Sequence, residues 1–200
     1  MPTLYLNFRH NDLISAAPPW VNQTPVGTWD QLGQKFSDID GSGVSVWVTT
    51  PFAGSVASTA VAEQTYHGIP KEVWRHWANT NAGSPSEVEI RGLPASTMVT
   101  VSVFAAASDN NRDLDVITNQ GTYRLDHLGS LPPPTEPLAV PVLTDGAGTA
   151  VMQFSAVTVN AAVAGLIIEY STGPSITTAD NITTEGQTAT FTLSGNTGAP

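Results

Sequence analysis

Residues 87–111, EVEIRGLPASTMVTVSVFAAASDNN, constrain the fold more than any other stretch of the chain. After the turn signal Arg91-Gly92-Leu93-Pro94, Val99, Val101, Val103 and Ala105 alternate with Thr100, Ser102 and Phe104. That is the two-residue period of a strand with one buried face, and an Asp/Asn cluster ends it. A strand of this kind is not stable alone, so other runs must supply two apolar layers. The same alternation recurs in residues 4–8, 44–48, 152–156 and 166–170. The pattern predicts an all-β protein: a two-sheet antiparallel sandwich of roughly eight strands with at most one or two short helices. In residues 166–170 the intervening position, Ile167, is also apolar, so that strand needs cover on both faces.

Composition agrees. Only 12% of residues are charged, with 17 glycines and 15 prolines, a mix that favours short strands and turns over helices. Seventeen acids against seven Lys and Arg give a net charge of -10, which repels phosphate backbones and anionic lipid, so nucleic acid is not an expected partner. The absence of cysteine excludes disulfides and thiolate metal sites. No apolar run reaches the ~18 residues of a membrane span. Met1-Pro2-Thr3-Leu4 leads straight into a strand pattern, and no secretion signal is expected in this chain.

The strand-bearing body is expected to occupy residues 1–172. Within it, residues 15–30 hold three prolines with Trp20 and Trp29 and read as a packed loop. Residues 68–78 contain Pro70, Val73, Trp74 and Trp77 and read as one helical turn. The successive prolines of residues 131–138 enforce an extended crossing between sheets, and Thr144-Asp145-Gly146-Ala147-Gly148-Thr149 is a hairpin-type turn. Residues 173–200 are polar and Thr-rich, a C-terminal extended arm. There Ala189, Phe191 and Leu193 share one face, as in a strand added to a sheet edge, so the arm is a candidate for docking on a neighbouring subunit or scaffold.

Catalytic residues are not expected: there is no Gly-x-Ser-x-Gly elbow, and His10, His67, His76 and His127 form no metal-binding pair. Trp20, Trp29, Trp74 and Trp77, with Asn22 and His76, are the candidate platform for a sugar, against the plainer reading that each tryptophan plugs the sandwich. Asp38 and Asp40 open an Asp-x-Asp-Gly sequence like that of calcium loops, but the twelfth position is Thr49 where a Glu would ligate, which favours an acidic turn. Asp109 and Asp113 belong to a second acidic segment of the same ambiguity. No cofactor is expected.

The succession YLNF, PWVN, DIDGSGVSVWV, YHGIPKEVW, EIRGLPASTMVTVSVFAAAS, GTYRL and TDGAGTAVMQF resembles the galactose-binding-like jelly rolls of bacterial extracellular and phage proteins, over residues 4–172. The resemblance implies an accessory module that binds carbohydrate or protein, in some members with a structural calcium ion. Residues 90–106 also resemble the late strands of a fibronectin type III sandwich, in which a Tyr is usual where Met98 or Thr100 stands here. That departure and the length favour the jelly roll. Since the chain resembles exported modules yet shows no export pattern, the leading expectation is a phage virion protein. It would be a capsid decoration, head or tail component, homo-oligomeric or scaffold-bound, made in the host cytoplasm and released by lysis. The alternative is a carbohydrate-binding accessory module, and a hydrolase comes last.

Overall fold

The structure is a computed structural model that describes residues 3–9, 15–23, 34–37, 43–57, 64–105, 112–126 and 136–171. Among these residues there are fourteen strands, numbered in chain order, and one four-residue helix. The first sheet runs in the order β11 (Leu138–Leu143), β8 (Met98–Phe104), β14 (Gly165–Glu169), β1 (Thr3–Phe8) and β2 (Trp20–Gln23). The second runs β10 (Gly121–Leu125), β9 (Leu114–Thr118), β12 (Ala150–Ala156), β7 (Ser86–Arg91), β4 (Ser45–Thr50) and β3 (Gln34–Ser37). A third, small sheet holds β13 (Asn160–Val163), β6 (His76–Asn81) and β5 (Gly54–Ala57).

The eight-strand core is a jelly roll by its own connectivity. Numbering β1, β7, β8, β9, β10, β11, β12 and β14 from one to eight, one sheet reads first, eighth, third, sixth and the other second, seventh, fourth, fifth. This is the double Greek key in which the chain wraps both sheets. The first core strand lies beside the last, whereas an immunoglobulin-like sandwich keeps its first strand beside its second. The fibronectin-like alternative falls on that pairing.

Two features depart from the expected plain sandwich. A third sheet is present, and β2 pairs with β1 in parallel, Tyr5 beside Trp20 and Asn7 beside Asn22. The packed loop expected over residues 15–30 therefore contains an edge strand. The expected helical turn shrinks to α1 (Lys71–Trp74), because Trp77 already lies in β6. β6 and β13 carry apolar residues at both parities. Ala78, Ala161 and Val163 face the main core, and Trp77 and Ala162 face a second cluster. Residues 144–149 are not a hairpin loop either, since β11 and β12 lie in different sheets. Asp145 Oδ1 accepts hydrogen bonds from the Ala147 and Thr149 amides, and Gly148, at φ 76°, packs too close to the Leu93 carbonyl for any side chain.

The main core forms where the inward faces meet. Val99, Val101 and Val103 of β8, Leu4, Leu6 and Phe8 of β1, and Leu166 and Ile168 of β14 oppose Val46, Val88, Ile90, Met152 and Phe154. Each such side chain contributes about 1.5–3 kcal/mol on burial. Among the described residues, the outer face of the first sheet is covered at one end only. There Phe104, Trp20, Val73, Trp74, Trp77 and Ile69 form the second apolar cluster, with Tyr5, Tyr66 and Ile167 at its margin. The cover that Ile167 required is thus partial, and its margin is where the cleft lies.

Candidate ligand-binding cleft

Register on the first sheet's outer face arranges side chains in rows. Phe104, Gly165, Asn7 and Asn22 stand side by side in adjacent strands, all but Asn22 fully buried beneath the cover. Gly165 is required here, because a Cβ on it would lie 2.7 Å from Phe104 Cζ and closer still to the Leu6 carbonyl. The next row is Ser102, Ile167, Tyr5 and Trp20, the first three half-buried. Beyond it come Thr100, Glu169 and Thr3, with Glu169 exposed. With strands about 4.8 Å apart, the middle row is about 14 Å long, the reach of a short oligosaccharide.

A turn overhangs the middle row. Tyr66 and Ile69 exchange backbone hydrogen bonds of 3.1 and 2.8 Å, which closes a two-residue loop at His67 and Gly68. Both loop residues have positive φ, 50° and 74°, the pattern of a type I′ turn. Trp74 ties this turn down, its Nε1 donating to the Ile69 carbonyl at 3.1 Å and the Tyr66 carbonyl at 3.3 Å. Between the overhang and the sheet lies a cleft of about 420 Å³, bordered by His67, Gly68 and Ile69 above, Ser102, Ile167 and Glu169 below, and Tyr5, Trp20 and Pro19 at the side.

The rings around it form a continuous chain of edge-to-face contacts. Tyr5 meets Trp20 at 5.3 Å, Trp20 meets Phe104 at 5.8 Å, Phe104 meets Trp74 at 5.4 Å and Trp74 meets His67 at 6.3 Å. The two ends of the chain, Tyr5 and His67, both border the cleft. Each pair stabilises by about 0.5–1.5 kcal/mol beyond area burial, so the walls are stiff.

The expected platform is redistributed by this geometry. Trp74 is 0% and Trp77 1% exposed, so neither presents a ring face to a ligand; Trp74 instead anchors the overhang. Trp20, 6% exposed, lies almost wholly within the second cluster. His76 is buried in β6. Asn22 spends its side chain on structure: its Oδ1 accepts from Asn7 Nδ2 at 2.8 Å and the Ala16 amide at 2.9 Å, and its Nδ2 donates to the Ala16 and Trp20 carbonyls. It fixes the entry to β2 and has no capacity left for a ligand. Trp29, Asp38, Asp40 and Asp109, with Ala189, Phe191 and Leu193 of the arm, lie outside the described residues. Asp113 is half-buried just before β9, and no group of three or more His, Cys, Asp or Glu able to hold a metal occurs among the described residues. The cleft residues Tyr5, His67, Ser102, Ile167 and Glu169 were not singled out from sequence as ligand contacts. The His-Gly dipeptide between Tyr66 and Ile69 was the local signal for the turn.

A second depression, of about 320 Å³, lies between Ile117, Leu143 and Val151 on the other side of the sandwich. Three of its polar residues are committed elsewhere. Asn119 clamps both backbone groups of Leu143 at 2.7 and 3.1 Å, Asp145 caps its own turn, and Gln153 donates to Glu87 at 2.8 Å. The cleft beneath the His67 turn is therefore the better site.

No protein-family model matches the chain, and no curated protein matches it in sequence. Among solved structures it is similar to a CBM35 from Abf62 of Cellvibrio japonicus, at 20% identity over 58% of this chain and 86% of that one, TM-score 0.38. A CBM35 from Paenibacillus barcinonensis matches at 16% identity over 63% and 98%, TM-score 0.40. An exo-β-1,3-galactanase from Phanerochaete chrysosporium, solved with β-1,3-galactotriose, matches at 13% identity over 58% of this chain and 27% of its own, TM-score 0.36. At such TM-scores the likenesses do not fix the topology, which rests on the strand order given above.

Proposed function

We propose that this chain is a non-enzymatic carbohydrate-binding domain and that the cleft beneath the His67 turn is its site. The observation that carries the reading is the row Ser102, Ile167, Tyr5 and Trp20 under a stiff overhang. A sugar ring has apolar C–H faces and a rim of hydroxyls, and it is held by an apolar or aromatic wall flanked by a few directional polar groups. Ile167 and Tyr5 supply the wall; the Ser102 hydroxyl and the Tyr5 phenol supply the polar groups. The virion reading keeps its sequence argument alone, and the arm expected to dock on a neighbour lies outside the described residues.

The test is a calorimetric titration with neutral gluco-, galacto-, manno- and xylo-oligosaccharides, repeated on two variants. At least one series binds the wild type. Ser102→Leu, which fills the cleft from the sheet floor, abolishes that binding while the melting temperature holds. Tyr5→Ala weakens it by about tenfold, the effect of losing one aromatic wall. Absence of binding across the panel, or binding indifferent to both substitutions, overturns the reading.

A further inference from the structure

The chemistry of the cleft border also selects among sugars, an inference that rests on the carbohydrate reading above. Among the described residues that border the cleft, Glu169 is the one carboxylate, and none is a Lys or Arg. It stands exposed at the open end of β14, one step beyond Ile167 on the same face. Its row neighbours are Thr100 and Thr3, hydroxyl groups rather than cations. The ion pairs Arg91–Glu89 and Arg124–Asp115 both lie on the second sheet. A ligand lying along the middle row therefore passes a carboxylate, with no Lys or Arg among the described residues that border the cleft.

We propose that Glu169 is a specificity-determining residue, and that the cleft takes amine-bearing sugars in preference to their neutral counterparts and disfavours sugars that carry a carboxylate. An ammonium within reach of Glu169 gains a charge-assisted hydrogen bond, whereas a uronate brings like charge against like. The effect is local, and it differs in kind from the general pull that a net charge of -10 exerts on any cation.

The experiment compares each neutral gluco- and galacto-tetrasaccharide with its 2-amino and its uronate counterpart, on the full chain, at about pH 7 and at low and high salt. The wild type binds the 2-amino form about fivefold more tightly than the neutral one, the upper range for an exposed ion pair, and the preference fades in high salt. The uronate binds about fivefold more weakly than the neutral form. Glu169→Gln retains neutral binding and loses both the amine preference and the discrimination against the uronate. Neutral binding without an amine preference overturns the inference and leaves the carbohydrate reading standing. A preference that survives in Glu169→Gln overturns it too, by assigning the effect to the charge of the whole molecule. Failure of every sugar to bind removes both.

Discussion

His67 occupies a backbone position that its side chain disfavours. At φ 50° in the first central position of a type I′ turn it sits where Asn or Gly is preferred, and a residue with an ordinary Cβ pays about 1 kcal/mol for left-handed geometry. In return the turn places an imidazole edge-to-face with Trp74 and on the lip of the cleft. Strain of this sort persists where the surroundings dictate it, and it collects at binding sites. His67→Asn is accordingly expected to raise the melting temperature by about 2–4 °C while weakening sugar binding by about fivefold. A variant that gains stability and keeps full affinity would remove His67 from the site. Asn22 behaves in the opposite way. Asn22→Ala breaks the clamp on Ala16 and Trp20 and leaves Asn7 buried beside an empty position. Thermal unfolding should show a loss of about 1–3 kcal/mol.

The turn and its anchor work as one element. Trp74 Nε1 holds both carbonyls that flank the loop, so Trp74→Phe keeps the buried ring and removes those two hydrogen bonds. Hydrogen exchange at Tyr66 and Ile69 is expected to accelerate by about tenfold, with little change in the sheets; unchanged exchange would show that ring packing alone holds the turn. The strands with clean period-2 alternation were legible in the sequence because that alternation reports the buried face directly, whereas β2, β6 and β13, which lack it, were not. Val99, Val101 and Val103 point inward as expected, and the apolar Ile167 at an outward position announced cover on the far face. Val101 is fully buried between Val140 and Ile168, so Val101→Asp places an unpaired carboxylate in the core and should cost about 4 kcal/mol or more. Soluble, cooperatively unfolding Val101→Asp protein would refute that orientation. The cleft was not legible, for a physical reason. Ser102, Ile167, Tyr5 and Trp20 are distant in sequence and come together only through three strand registers, one of them parallel, which local periodicity does not encode. The tryptophans drew attention by size, and size is what buried them.

At the scale of the whole molecule, the described residues close a jelly roll among themselves. β14 is paired on both sides, by β1 and β8, and its end completes the core with Tyr170. Deleting residues 174–200 is expected to leave the melting temperature within about 3 °C. A large loss of stability would show that the arm is part of the body. The same closure puts one covered and one open end on a single sheet face, and the boundary between them makes the cleft. The most direct measurement is an amide chemical-shift map of the full chain titrated with the tightest-binding oligosaccharide of the neutral panel. Perturbed amides are expected to cluster at Tyr5, His67 to Ile69, Ser102 and Ile167 to Glu169. Perturbation centred instead on Thr118, Asn119 and Leu143, or on the outer face of the second sheet around Trp47, would contradict it.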